Sequence, residues 1–182
     1  MLGRETSSAR IELRSLEDED AGVVREYQNG ECLLEISELL DSDLPWAPMS
    51  KDQVKEKLGE MNKEDRTAIS GVWSEEGLIG LAYFSADWDT LCPFISVIIW
   101  PEHRRKGYGT EAAKLLLDLC FNNYFAHVVG SSVPDFSEEG LAFAKSLGFK
   151  RQGLRRRAGM FNGRFYDSVF LDVLRSEYSG GA

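Results

Sequence analysis

Arg104, Gly107 and Gly109 stand at the spacing R-x-x-G-x-G, and these residue types at that spacing suit a phosphate. Glycines let a ligand approach the backbone closely, and arginine adds charge. A helix starting just beyond contributes unsatisfied N–H groups and the positive end of its dipole. The apolar run from Phe94 to Trp100 leads into this turn as a strand, and a helix is expected after it from Glu111 to Asn122. The chemistry implied is the grip of a pyrophosphate-bearing cofactor. A dinucleotide fingerprint would place G-x-G-x-x-G in an early βαβ unit, and a Walker loop would read G-x-x-x-x-G-K-[ST]; the chain has neither.

The elements that must position this turn are legible from period. Arg10 to Leu16 alternates as a half-buried strand, and the acidic run Glu17 to Asp20 suits the first turn of a helix through Tyr27. Glu31 to Leu40 repeats apolar residues at helical spacing until Pro45 and Pro48 break the chain. Ser50 and Gln53 form a capping box for a helix to about Asn62. From Thr67 the period becomes strand-like: Thr67 to Ser74, Leu78 to Ala86 and Phe94 to Trp100 read as a meander. The helix after the turn precedes a strand near His127 to Val133, a helix near Glu138 to Leu147, and strands near Lys150 to Arg157 and Phe165 to Leu174. Asn162-Gly163 between the last two signals a hairpin.

The 182 residues suit one domain, and 43% hydrophobic with 28% charged residues is an ordinary globular composition. No run approaches the roughly 18 apolar residues of a membrane span, and the N-terminus has no signal-peptide core, so a cytoplasmic address is expected. Cys32, Cys92 and Cys120 are widely spaced and read as reduced and structural, with no metal site. The net charge of −9 disfavours direct nucleic-acid binding. Residues 1–66 hold 17 acidic against 9 basic residues, so the acidity sits in the first third, where it can steer a cationic partner or simply solubilise the surface. Arg155-Arg156-Arg157 falls in a strand, where alternation should scatter neighbours to opposite faces.

The element order, with its phosphate turn after the fourth strand, resembles the GNAT superfamily of acetyl-CoA-dependent N-acetyltransferases. Val97 to Ala112 is similar to that family's acyl-CoA motif, and Ser146-Leu-Gly-Phe-Lys-Arg-Gln-Gly153 to its second hallmark. Leu44-Pro45-Trp46 and Asn162-Gly163-Arg164-Phe165-Tyr166-Asp167 resemble the ribosomal-protein N-terminal acetyltransferases of the Ala/Ser type. The resemblance implies an α/β fold with a mixed, mostly antiparallel sheet of about seven strands flanked by helices. It implies that the backbone of Val97, Ile98 and Ile99 bonds the pantetheine arm of acetyl-CoA like an added strand. The N–H groups of Arg105, Lys106, Gly107, Tyr108, Gly109 and Thr110 would cradle the pyrophosphate, with Arg104 adding charge or ordering the turn.

Chemistry in that family is direct attack of an amine on the thioester, which needs a neutral amine, a donor for the oxyanion and a proton for the thiolate. Many relatives place a tyrosine acid where this chain has Ala144, and an Asn where it has Ser137. Asp135 as proton acceptor and Ser137 as donor toward sulfur are the catalytic candidates, although Asp135 with Glu138 also reads as a capping box. Trp46, Asp87, Trp88 and Asp89 fall in loops where the family's acceptor site lies, and an aromatic beside carboxylates suits a protonated amine. His103 reads as a turn residue and His127 as a packed strand residue. The expected function is acetyl transfer to a primary amine, first the N-terminal α-amine of a ribosomal or other protein. A small cationic amine such as a polyamine or aminoglycoside is the alternative, and a non-catalytic acyl-CoA sensor the rival; a homodimer is the assembly it allows.

Overall fold

Runs of period two or continuous apolar character fold as strands, and runs of period 3.6 as helices. The computed structural model of the chain describes residues 6–40, 47–63, 67–86 and 92–178. The strands are β1 (Thr6–Ser7), β2 (Glu12–Ser15), β3 (Thr67–Ser74), β4 (Gly77–Ser85), β5 (Phe94–Ile99), β6 (Val128–Pro134), β7 (Lys150–Phe161) and β8 (Arg164–Leu174). The helices are α1 (Ala21–Gln28), α2 (Leu33–Leu39), α3 (Lys51–Lys63), α4 (Tyr108–Asp118) and α5 (Glu138–Ser146). All eight strands form one sheet in the order β1-β2-β3-β4-β5-β6-β8-β7. Every pair is antiparallel except β5 with β6. The strand beyond the expected seven is the two-residue β1.

Two cores lie on the two faces of this sheet. On one, α4 buries Ala112, Leu116 and Leu117 with Ala144 of α5 against Ile95, Ile99, Val129 and Val169. On the other, α1, α2 and α3 bury Val24, Ile36, Leu39, Val54 and Leu58 against Leu81, Ile98 and Trp100. Burying one such side chain contributes about 1.5–3 kcal/mol, so both faces hold their helices firmly. Trp100 is fully buried, donates Nε1–H to the Leu78 carbonyl at 3.0 Å, and carries Tyr27 stacked at 4.2 Å. Among the described residues no helix is long and apolar enough to cross a membrane.

Local chemistry sets the element ends. The Ser50 capping box forms as expected, with Ser50 N–H to Gln53 Oε1 at 2.8 Å and Gln53 N–H to Ser50 Oγ at 3.2 Å. The acids before α1 make a turn instead of its first turn, because the Asp20 carboxylate accepts the Glu17 N–H at 2.8 Å. α4 starts three residues before Glu111: Gly107, at φ +89°, turns the chain straight into the helix. The cap of α5 is Ser137, whose Oγ accepts from the Gly140 N–H at 3.3 Å, and the expected Asp135–Glu138 box does not form.

β7 continues past Arg157 to a hairpin whose Asn162 (φ 50°) and Gly163 (φ 73°) both take the left-handed conformation of a tight turn. A bulge between Arg155 and Gly159 makes the longer strand possible. It also overrides alternation: Arg155, Arg156 and Arg157 line one crevice of roughly 730 Å³ with Leu154 and Asp167.

Candidate active site

Among the described strands β5–β6 is the one parallel pair. Its only register partners are Phe94 and Gly130, fastened by the Gly130 N–H to the Pro93 carbonyl at 2.8 Å and by Ser131 Oγ to the Ile95 carbonyl at 3.0 Å. Beyond Ser131 the strands diverge. The bond from the Trp100 N–H to the Ile79 carbonyl, 2.9 Å, fixes which β5 amides face β4. Counting back by twos, Ile98 faces β4, opposite Leu81, while Ile95, Val97 and Ile99 turn their peptide groups toward β6. Ser131 takes the Ile95 carbonyl and Arg104 Nε donates to the Ile99 carbonyl at 2.8 Å. Both peptide groups of Val97 and the N–H of Ile99 therefore remain along the gap. Of the three residues expected to bond a pantetheine arm, Val97 and Ile99 present backbone to it, and Ile98 does not.

The turn at the gap's mouth alternates conformations, with Arg105 at φ 61° and Gly107 at φ 89°. Such alternation converges successive N–H groups into an anion-binding concavity. Among the described residues no acceptor takes the N–H groups of Arg105, Lys106, Gly107, Tyr108, Gly109 or Thr110. The last three belong to the first turn of α4, where N–H groups have no partner within the helix. These residues fit a pyrophosphate, and the gap fits an extended arm.

Arg104 orders the turn rather than reaching into it. Beyond the Ile99 carbonyl, its guanidinium contacts Cys32 Sγ at 3.5 Å and Glu35 at 3.7 Å, tying α2 to the end of β5. Burial, opposed in part by this arginine, pushes the Cys32 thiol up to about 11, and burial pushes Cys120 up to about 12, so neither is a nucleophile near neutral pH. Arg105 pairs with Glu139 at 2.7 Å on the surface, and Lys106 lies 3.6 Å from Glu76. Glu76 also receives the Tyr108 hydroxyl at 3.4 Å and lies 3.5 Å from His103 Nδ1.

Arg10, which no local spacing singled out, backs the turn from 96 residues away. It donates to the Lys106 carbonyl at 3.0 Å, pairs with Glu111, and lies 5.1 Å from the Tyr108 ring centroid. Desolvation pushes the Glu111 carboxyl up, but the Ser8 hydroxyl and Arg10 more than offset it, leaving it below the usual carboxylate range.

The two catalytic candidates have structural partners. Asp135 Oδ1 accepts the Asp167 N–H at 3.0 Å while its own N–H bonds the Asp167 carbonyl at 2.8 Å, joining the end of β6 to β8. Ser137 caps α5. Ala144 is buried in the core beneath α5, so no phenol occupies the family's usual position. Trp46, Asp87, Trp88 and Asp89 lie outside the described residues. Sequence reading missed Glu38 and Tyr166: the Tyr166 hydroxyl donates to Glu38 Oε1, on the sheet face away from α4 and α5. A contact between residues 128 apart leaves no spacing signature.

Comparison with known proteins agrees with this geometry. The acetyltransferase (GNAT) domain family matches residues 10–150. The chain is 23% identical over 189 residues to the spermidine N(1)-acetyltransferase of Escherichia coli strain K12, covering 94% of this chain and 90% of that protein. It is 22% identical over 132 residues to the uncharacterized N-acetyltransferase YokL, derived from the SPbeta prophage of Bacillus subtilis, covering 72% of this chain and 75% of that protein. The spermidine N-acetyltransferase of Vibrio cholerae, solved with CoA and spermine, superposes with a TM-score of 0.80 at 22% identity, over 94% of this chain and 99% of that one. None of these relatives is named for a ribosomal-protein acceptor, so they lend no support to the subgroup expected from Leu44-Pro45-Trp46 and the 162–167 hairpin. With its phosphate turn, strand gap and matched domain, the chain belongs to the GNAT acetyltransferase family and is an acetyl-CoA-dependent N-acetyltransferase.

Proposed function

We propose that this chain acetylates a primary amine of a small polycation of the spermidine type. The observation that carries the acceptor class is the placement of charge. Residues 1–66, with 17 acidic against 9 basic residues, supply the helices that cover the sheet face opposite α4 and α5. An amine approaching the gap past α2 meets the carboxylates of Glu35 and Glu38, and the net negative charge of residues 1–66 attracts a polycation from a distance. The relatives named for spermidine support the same class.

Acetyl-CoA, when bound, supplies the activated acyl group and a thiolate leaving group. The N–H groups from Arg105 to Thr110 would hold its pyrophosphate, and Val97 and Ile99 would align its arm. A β5 N–H facing the gap would stabilise the oxyanion, which such donors do strongly in a site shielded from water. The amine nitrogen must be neutral when it attacks. The proton it releases on forming the amide is enough to neutralise the thiolate, so direct transfer balances without a phenol at position 144. Asp135 and Ser137 remain candidates for relaying that proton.

The test is a panel of acceptors with the purified chain, following CoA release: spermidine, spermine, an aminoglycoside, and peptides with free Ala or Ser N-termini. Spermidine is expected to give saturable turnover with kcat/KM at least about tenfold above any peptide, a gap of about 1.4 kcal/mol. Preference for a peptide terminus would overturn the polyamine reading, and acetyl-CoA binding without transfer to any amine would overturn the enzyme reading.

A further inference from the structure

We propose that Glu38 and Tyr166 form an anchor for a second, charged nitrogen of the acceptor, selecting diamines and polyamines over monoamines; this rests on the polyamine reading above.

The argument is one of placement. α2 packs Ile36, Leu39 and Leu40 in one core with Ile98 and Trp100 at the β5 side of the gap. Tyr166 belongs to β8, and β6 lies between β5 and β8 in the sheet. The Tyr166–Glu38 hydrogen bond therefore crosses the region where β5 and β6 diverge. It does so on the face opposite the helix that follows the phosphate turn. An acceptor entering from that face passes this bond on its way to the gap.

The chemistry of the pair suits an ammonium. Tyr166 is 9% exposed, and a phenol that buried needs a partner, which Glu38 supplies with one oxygen. Among the described residues Glu38 Oε2 accepts no hydrogen bond, and the side chain stands on the exposed side of α2. Desolvation pushes the Glu38 carboxyl up, only partly offset by the Tyr166 hydrogen bond and by Arg155, and among the described residues no ion pair forms at it. Arg155 acts on it electrostatically, but its Nη2 is turned to the Ala158 carbonyl at 3.4 Å. Glu35, one turn back on α2, is paired with Arg104. A carboxylate held at a cleft by a phenol, with no ion pair among the described residues, is completed by an ammonium from the ligand. A diamine can place one charged nitrogen there while its other, neutral nitrogen reaches the thioester. A monoamine cannot do both.

The experiment compares spermidine with butylamine as acceptors for the wild type, Glu38→Gln and Tyr166→Phe. Glu38→Gln keeps an acceptor for the Tyr166 hydroxyl, so the clasp itself survives. Its kcat/KM for spermidine is expected to fall about 10- to 100-fold, mostly through KM, with butylamine within about threefold and KM for acetyl-CoA unchanged. Tyr166→Phe retains the carboxylate and is expected to lose less than about tenfold on spermidine. An undiminished spermidine kcat/KM in Glu38→Gln, or equal losses on both amines, overturns the anchor while leaving the polyamine reading intact. A wild type that acetylates no polyamine overturns that reading, and the anchor with it.

Discussion

At the scale of single residues, the two glycines of the phosphate turn look alike in sequence and differ in the structure. Gly107 sits at φ +89°, and a Cβ there would lie 3.0 Å from Arg10 Nη2. Gly109 is in the helix, where a Cβ would make ordinary contacts of 3.5–3.6 Å with Ile99 and Phe143. Gly107→Ala is thus expected to cost about 1–2 kcal/mol and to weaken CoA binding, whereas Gly109→Ala should hold or raise the melting temperature, by up to about 1 kcal/mol of helix propensity. Thermal melts of the two variants check this, and equal destabilisation would contradict it. Glu111 gives the pH counterpart. Its carboxyl is depressed in the folded chain, so its contribution is present above its unfolded pKa and is lost as pH falls through the folded value. Denaturant titrations across the acid range should show the wild type losing more stability than Glu111→Gln. The R-x-x-G-x-G spacing was legible because its residues are neighbours; Arg10 was not, because the Lys106 carbonyl it holds is 96 residues away.

At the scale of elements, period and capping made nearly every strand and helix readable, and the misses have local causes. α4 begins early because a left-handed Gly107 replaces a conventional cap. β7 runs long because a bulge absorbs Arg156 to Ala158 within an unbroken hairpin, which a period-two reading cannot anticipate. In the sequence Asp135 and Ser137 suit either proton transfer or helix capping, and their contacts in the structure make that choice testable. Ser137→Ala should remove about 1 kcal/mol as a lost N-cap. If capping is its main work, kcat stays within about threefold of wild type; a loss of about 10²-fold or more, with the fold retained, would mark it as an acid. Asp135→Asn, measured in the same way, separates its bond to the Asp167 N–H from proton transfer.

At the scale of the whole molecule, the sheet puts the proposed donor and acceptor sides on its opposite faces. The phosphate turn and α4 approach the β5–β6 gap from one side, and α1 to α3, with Glu35 and Glu38 on α2, cover the other. The charge asymmetry was visible in the sequence, but the face it occupies was not, since that depends on which way each helix crosses the sheet. Steering by that face predicts that KM for spermidine rises with ionic strength between about 0.05 and 0.5 M salt, while KM for an uncharged acceptor analogue changes little. The account rests most heavily on how the chain holds its donor, and amide hydrogen exchange resolved by residue, with and without CoA, tests that directly. Protection is expected to rise at Val97, Ile99 and from Arg105 to Thr110, and to stay unchanged at Ile98, whose N–H already faces β4. Protection that misses the turn, or that rises at Ile98 and not at Val97 and Ile99, would contradict the account.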